Sequence, residues 1–290
     1  MTIAPSSNWS RRRFLQTAVA VGAARIAVDR TGAGEQDAEA DQVWALLSDT
    51  HAPEDAANEY RGFHPQATFK RAAIEVARAR PRGVIITGDV ARLEGLAGDY
   101  AAVQRLLAPL REAGAGVHAC MGNHDDRVNY LASLAAPPAG QQEVPDKLVT
   151  LLDAGGVRLI LLDSLLLVNQ VPGLLGKAQR DWLAAYLASS DARPTLLLVH
   201  HTLGDGDGEL LDADRLFALI KPHRKVKAIF FGHSHVYAFG ERDGVLLVNL
   251  PACGYNFDDD QPVGWVEASF TAGGARLTLH ALGGNVAGDG

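Results

Sequence analysis

Short apolar runs recur along the chain, and each breaks off in polar residues: VWALLSDTH, GVIITGD, GVHACMGNHD, VRLILLDS, PTLLLVHH, VKAIFFGHSH and GVLLVNLPA. They have strand length and are rich in Val, Ile, Leu and Phe. Their hydrophobicity is continuous rather than alternating, which predicts strands buried on both faces. Between them lie helical periods. HPQATFKRAAIEVARARP (64–81) puts Phe69, Ala73, Val76 and Ala77 on one face, and GDYAAVQRLLAPLREAG (98–114) repeats Tyr100, Val103, Leu106, Leu107 and Leu110. GKAQRDWLAAYLASS (176–190) and DADRLFALIKPH (212–223) follow the same rule. Strands alternating with helices predict an α/β fold with helix-covered sheets. The stretch 244–281 has strand runs and no clear helix, so the sheet is expected to end in antiparallel strands. No internal repeat and no second domain is visible after residue 41.

The N-terminus breaks this pattern. Residues 10–28, SRRRFLQTAVAVGAARIAV, place a basic cluster before an apolar stretch too short and interrupted to span a bilayer stably. The order Ser10-Arg11-Arg12-Arg13-Phe14-Leu15 resembles a twin-arginine export signal, a receptor-read address rather than an anchor. The expectation is an export signal and linker over 1–40, one domain over 41–290, transient contact with the twin-arginine export machinery, no stable membrane anchor and a periplasmic or cell-envelope location. Small-x-small sequences at 22–24 (GAA) and 38–40 (AEA) both fit a cleavage site.

Composition is that of a globular chain: 290 residues, 47% hydrophobic and 21% charged. The net charge is −7, and residues 1–40 carry five Arg against four acids, so the domain itself is the acidic part. A nucleic-acid partner is disfavoured on bulk electrostatics, and an anionic substrate needs a local positive centre. Cys120 and Cys253 form no CxxC. They read as two buried small hydrophobes, with a single disulfide as the alternative.

The polar residues after the apolar runs carry the chemistry. In open α/β sheets, ligands bind beyond the carboxyl ends of the strands. Asp49, His51, Asp89, Asn123, His124, His200, His233 and His235 all follow such runs, so five strand ends would deliver them to one rim. Asp, His and Asn without thiolates suit a borderline-to-hard ion such as zinc, iron or manganese. Seven candidate ligands, Asp49, His51, Asp89, Asn123, His200, His233 and His235, are too many for one tetrahedral ion and suit two ions sharing a carboxylate. Two carboxylates against two divalent ions leave about +2, or about +1 with a bridging hydroxide. That centre would attract a phosphate, and an Asp in place of Asn123 would cancel it. His124, next to a ligand, is free to face a leaving group as an acid, with Asp125 expected to orient its ring. Arg127 reads as a surface ion pair with Asp126, the alternative being a substrate phosphate. DGDGELLDADR (205–215) lacks the closing Glu of a calcium loop and reads as a solvated loop near the rim. His201 is left out, since neighbouring strand residues point to opposite faces. His64, His118, His223 and His280 take structural readings.

The ordered set DTH (49–51), GD (88–89), GNHD (122–125), HH (200–201) and GHSH (232–235) resembles the calcineurin-like metallophosphoesterases over residues 42–255. The resemblance implies a two-sheet β-sandwich flanked by helices. It implies one metal on Asp49, His51, Asp89 and His235, and a second on Asp89, Asn123, His200 and His233, with Asp89 bridging. MGNHDDR and the Gln179-x-x-Trp182-Leu183 helix look most like bacterial members related to cyclic-nucleotide phosphodiesterases. The expected activity is hydrolysis of a small phosphate ester, a diester, by in-line attack of metal-bridging hydroxide. A phosphomonoesterase or nucleotidase, or a non-catalytic binder of phosphorylated ligands, shares every ligand. GDVARLEG and HHTL depart from the family pattern at the pocket wall, which bears on substrate choice.

Overall fold

The computed structural model describes residues 24–27, 42–271 and 274–284. The paired-arginine segment lies outside them. The strands are β1 (Ala24–Ala27), β2 (Gln42–Leu47), β3 (Gly83–Ile86), β4 (Gly116–Ala119), β5 (Gln141–Val144), β6 (Lys147–Ala154), β7 (Val157–Leu161), β8 (Thr195–Leu198), β9 (Val226–Phe231), β10 (Ala238–Arg242), β11 (Val245–Asn249), β12 (Pro262–Thr271) and β13 (Gly274–Gly284). The helices are α1 (Pro65–Ala79), α2 (Ala97–Leu106), α3 (Ala108–Glu112), α4 (Arg127–Ser133), α5 (Gly176–Ser189) and α6 (Ala213–Ile220).

Two sheets result. One runs β1-β13-β12-β2-β3-β4, the other β10-β11-β9-β8-β7-β6-β5. In the first, β2, β3 and β4 are parallel; in the second, β7, β8, β9 and β11 are. The expected antiparallel ending is present as the β10–β11 and β12–β13 hairpins, while β11 itself lies parallel to β9.

Continuous hydrophobicity has the predicted meaning. In β2, Trp44 and Leu46 enter the core between the sheets with Ile85, Leu159, Leu198, Phe230 and Phe270. Ala45 and Leu47 face the other way, into the cluster formed with Phe69, Val76, Tyr100 and Leu110 of α1–α3. Over the second sheet, Leu183 and Leu187 of α5 and Leu216, Phe217 and Ile220 of α6 close the outer face. The architecture is helix, sheet, sheet, helix, as the resemblance implied.

α1 begins at Pro65, whose missing N–H falls where a helix needs none, and buries Phe69, Ala72, Ala73 and Val76. The single helix expected over 98–114 is two, α2 and α3, because Pro109 near the start of α3 cannot donate back along the chain. α4 was not anticipated; Asp126 caps it by accepting from Asn129 N at 2.8 Å. Cys120 and Cys253 are both buried and free, in different core clusters. Among the described residues, no helix is long and apolar enough to cross a membrane.

Candidate metal centre

The carboxyl ends of β2, β3 and β4 in one sheet and β8 and β9 in the other meet at a common rim, and all seven expected ligands converge there. Main-chain bonds hold the loops together: Asp49 N donates to Gly88 O, His51 N to Asp89 O and Gly232 N to His200 O. Two motif glycines are there for space. A Cβ on Gly122 would collide with the Asp89 carboxylate, and one on Gly232 with Ser48 and Asp49. Five of the candidate ligands have left-handed backbones: Asp49 (φ 51°), His51 (42°), Asp89 (48°), His233 (71°) and His235 (55°). Such conformations cost a non-glycine residue energy and persist where surrounding structure imposes them.

Side-chain geometry separates two overlapping groups. Asp49 Oδ1 lies 3.3 Å from His235 Nε2 and 3.9 Å from His51 Nε2, and the two ring nitrogens are 3.1 Å apart. Asp89 Oδ2 stands between the groups, 3.8 Å from His51 Nε2 and 3.3 Å from His200 Nε2. His200 Nε2 is also 3.3 Å from both Asn123 Oδ1 and His233 Nδ1. Ligand-capable atoms of Asp49, His51 and His235 lie within 4.8 Å of one another, as do those of Asp49, Asp89 and His200. The same holds for His51, Asp89 and His124, and for His200, His201 and His233.

The outward-facing nitrogens decide what these atoms want. His51 Nδ1 faces Arg92 O at 3.2 Å, His200 Nδ1 Thr87 O at 2.8 Å, His235 Nδ1 Tyr255 O at 2.6 Å and His233 Nε2 Gly208 O at 2.9 Å. A carbonyl only accepts, so each of these nitrogens carries the proton. In a neutral ring the inward nitrogen is then a bare lone pair, the arrangement that prepares histidine for a metal. Burial holds His51 down at about 3, against the pull of Asp89, and holds His233 at about 4, with His200 adding to the effect. Burial also opposes charge on His200, but Asp89 and Asp49 outweigh it and lift that ring to about 9. Both carboxylates stay below their ordinary range despite burial, Asp49 through His235 and His200, Asp89 through His200 and His51. Asp49 Oδ1 is buried with no hydrogen-bond donor. Two carboxylates, an amide oxygen and the inward nitrogens of four rings thus face one another at short range. This donor set fits divalent cations, and little else neutralises it.

Asp125 requires a correction. It does not touch His124. Its buried carboxylate accepts from Gly122 N, Val90 N, Ala91 N and Tyr100 Oη at 3.0–3.3 Å, tying the GNHD loop to the loop after β3. Burial and the nearby Asp89 charge push it up to about 6. The group that orients His124 is a main-chain oxygen, Leu93 O, 2.8 Å from Nδ1. No side-chain pattern could have announced it. His124 lines the cavity, and its main-chain N–H donates to Asp89 Oδ1 at 2.9 Å.

Arg127 pairs neither with Asp126 nor with the cavity. It grips the buried Asp163 through Nε at 2.6 Å and Nη2 at 2.7 Å. His201 does not turn away from the cluster. β8 has ended at Leu198, so strand alternation no longer applies, and the ring packs against His200 and His233 with Nδ1 2.7 Å from Ser164 Oγ. The 205–215 loop borders the cavity, but Glu209 and Asp212 within it are buried rather than solvated, and Asp212 accepts from Leu175 N and Gly176 N. Sequence reasoning also missed the aromatic wall: Tyr255 stacks on His51 at 4.8 Å and Phe257 on His235 at 4.2 Å.

Comparison with known proteins agrees with this geometry. Residues 44–237 match the Calcineurin-like phosphoesterase family. The 3′,5′-cyclic adenosine monophosphate phosphodiesterase CpdA of Pseudomonas aeruginosa is 28% identical over 71% of this chain and 74% of its own. The glycerophosphodiester phosphodiesterase GpdQ of Enterobacter lignolyticus is 28% identical over 60% of this chain and 63% of its own. In fold, a dimetal phosphatase from Danio rerio superposes with a TM-score of 0.68 at 16% identity, covering 83% of this chain and 96% of that one. With its family match spanning the two-sheet core and its Asp, His and Asn side chains converging at the strand ends, the chain belongs to the calcineurin-like phosphoesterase family.

Proposed function

We propose that the protein is a phosphodiesterase that works with two divalent metal ions of the iron, manganese or zinc kind. The carrying observation is the convergence of inward ring nitrogens, each ring fixed by a carbonyl behind it, on Asp49, Asp89 and Asn123. Asp49, His51 and His235 would hold one ion and Asn123, His200 and His233 the other, with Asp89 shared between them. Bound metals supply Lewis acidity toward the phosphoryl oxygens and a water of lowered pKa. The chain supplies the rest. His124 keeps its Nδ1 proton on Leu93 O, so its Nε2 is the nitrogen left to hand a proton to the departing oxygen.

A diester is favoured over a monoester by charge. A monoester dianion calls for extra cations around the phosphate, as in arginine clamps. Among the described residues lining the cavity, Arg242 is the one Lys or Arg side chain, and it is paired with Asp214. The names of the relatives point the same way. The test is hydrolysis of bis-p-nitrophenyl phosphate against p-nitrophenyl phosphate, each with added Mn²⁺, Fe²⁺, Zn²⁺ or none. Metal-dependent turnover favouring the diester is expected. Preference for the monoester would make the protein a phosphomonoesterase, and tight phosphate-ester binding without turnover would make it a binder. We also read residues 10–15 as an export address and place the mature protein in the periplasm or cell envelope. Mass spectrometry of the protein from its native envelope should find the first residues removed; an intact Met1 on active cytoplasmic protein would overturn that.

A further inference from the structure

The two groups of candidate ligands lean on different parts of the chain. Asp49, His51 and His235 find their outer partners in Ser48, Arg92, Tyr255 and Phe257. Asn123, His200 and His233 are backed on one side by the connection between β7 and α5, residues 162–175. This connection is a pinched loop. Leu165 bridges Gly173, and Leu174 N donates to Ser164 O at 2.9 Å, so 166–172 form its tip. Leu167, Asn169, Gln170 and Val171 in the tip are exposed. Charge fixes the base. Asp163 is fully buried and is gripped by Arg127, whose Nη2 also donates to Leu165 O at 2.5 Å. Lys147 Nζ donates to Leu165 O and Leu174 O, each at 2.8 Å. Arg127 opens α4 just after the GNHD loop, so that loop and the base of this one share an anchor.

From that base the loop reaches each member of the second group by a different route. At the tip, Asn169 N donates to Asn123 O at 2.7 Å. Asn169 has a φ of 57°, a left-handed conformation that asparagine accepts more readily than most side chains, and this turn delivers its N–H. On the inner side, Ser164 Oγ meets His201 Nδ1 at 2.7 Å, and a Cβ on Gly173 would collide with the His201 ring. His201 is buried, its ring centre 4.9 Å from that of His200 and 4.7 Å from that of His233. Holding His201 therefore limits how far either neighbouring ring can turn. Val171 packs against Gly208, whose carbonyl faces His233 Nε2 at 2.9 Å.

We propose, resting on the two-ion reading above, that residues 162–175 are a strap that sets the affinity of the ion held by Asn123, His200 and His233, with Asn169 and Ser164 as its positioning residues. The other ion is independent of it. Groups that orient a ligand from behind tune how tightly the metal is held. Asn123 brings no charge to draw an ion in, so its contribution depends on where its oxygen is held. The strap fixes the main chain of Asn123 and leaves the side chain to ligate. It fixes His200 and His233 through His201, which explains why a third histidine is packed into this cluster.

Titration of the metal-free full chain with Mn²⁺ tests it, by calorimetry and by electron paramagnetic resonance, in which two ions sharing a carboxylate give a spin-coupled signal. Wild type should bind two ions. Asn123→Ala and His235→Ala show which binding step belongs to which group. A β-branched residue is a poor fit to the left-handed turn, so Asn169→Val should displace the N–H. It should weaken the step that Asn123→Ala removes by about 10–100-fold and leave the step that His235→Ala removes unchanged. At limiting Mn²⁺ the coupled signal should fade while a single-ion signal stays. Asn169→Gly keeps the conformation and should match wild type. Ser164→Ala should act on the same step in the same direction. A merely structural role would weaken both steps alike. That result, or no change in either step, or equal loss in Asn169→Gly and Asn169→Val, overturns the strap. If Asn169→Val does not fold, Ser164→Ala decides, and an unchanged second step overturns the strap. Uptake of one ion by wild type would instead overturn the two-ion reading, and the strap with it.

Discussion

The two parts of the cavity are built by opposite means. The metal-facing part is made of residues just past strand ends, several in left-handed backbone conformations, with each candidate histidine ligand backed by a carbonyl. The rest of the cavity wall draws on the strand residues Phe231, Arg242 and Leu247 and on Val236 just past His235, none of them with a positive φ. In the first, main chain and side chain are locked together, so a substitution disturbs several partners at once. In the second, Phe231, Val236 and Leu247 contribute mainly their own apolar surface, and Arg242 alone among the four is tied to polar and aromatic partners, Asp214 and Phe217. Within one cavity, a tightly interlocked part thus adjoins an ordinarily packed one.

Substitutions should show that separation as a ladder of effects. Asp89→Ala stands at the top, because it removes the carboxylate that faces both groups. It should lose metal by elemental analysis and lower kcat by more than the loss of a general acid alone would, about 10⁴-fold at most. Two metals retained at full occupancy would sink the shared role of Asp89. His124→Ala comes next. It should keep its metal yet cut kcat by about 10²–10⁴-fold, with the smaller loss on a p-nitrophenolate leaving group than on an alkoxide. Equal losses on both would make His124 an electrostatic stabiliser, and a loss of metal would make it a ligand.

Ser48→Ala lies lower. Ser48 Oγ donates to Asp49 Oδ2, the oxygen that also accepts from His233 N at 3.1 Å. Removing a group that orients a ligand should weaken metal binding by about 10–100-fold, with kcat nearly restored at saturating metal. Unchanged metal affinity would show that Asp49 is oriented without Ser48.

The smallest effect belongs to a histidine in neither part. His118 on β4 is pressed near Trp44, and burial lowers its pKa below 6.5. A base whose pKa is lowered on folding contributes its full stability above the unfolded value. That stability is then lost as pH falls below 6.5, because the unfolded chain takes the proton first. Melting of wild type and His118→Gln from pH 8 to pH 5 should show the wild type losing more stability on acidification. Parallel curves would mean that the ring is not strained by protonation.

How much could be read from the chain alone follows the same division. The seven candidate ligands were legible because each must follow a strand directly and each is a residue type with few other uses in that place. The layered fold was legible because strands buried on both faces are apolar without a break. The partner of Asp125 was not, since it is mostly main chain: Gly122, Val90 and Ala91 donate to it, and such donors leave no mark on side-chain pattern. Arg127 and Asp163 are 36 residues apart, and nothing local tells an arginine which distant carboxylate it will meet. β5, β6 and β10 were missed because edge and near-edge strands carry polar positions, as QQEV and AFGER do. The rest of the cavity wall was invisible because Phe231 and Leu247 read as core until the topology leaves a space beside them.

The left-handed backbones at Asp49, His51, Asp89, His233 and His235 also bear on how this protein would drift under artificial selection. Glycine adopts that conformation without the steric cost that a side chain incurs, about 1–2 kcal/mol per residue. A screen that rewards heat tolerance alone would therefore be drawn to glycine at these five positions, and each gain would delete a candidate ligand. The variants it enriched would be sturdier and empty. Libraries from this scaffold need turnover as a second gate, or these five codons held constant.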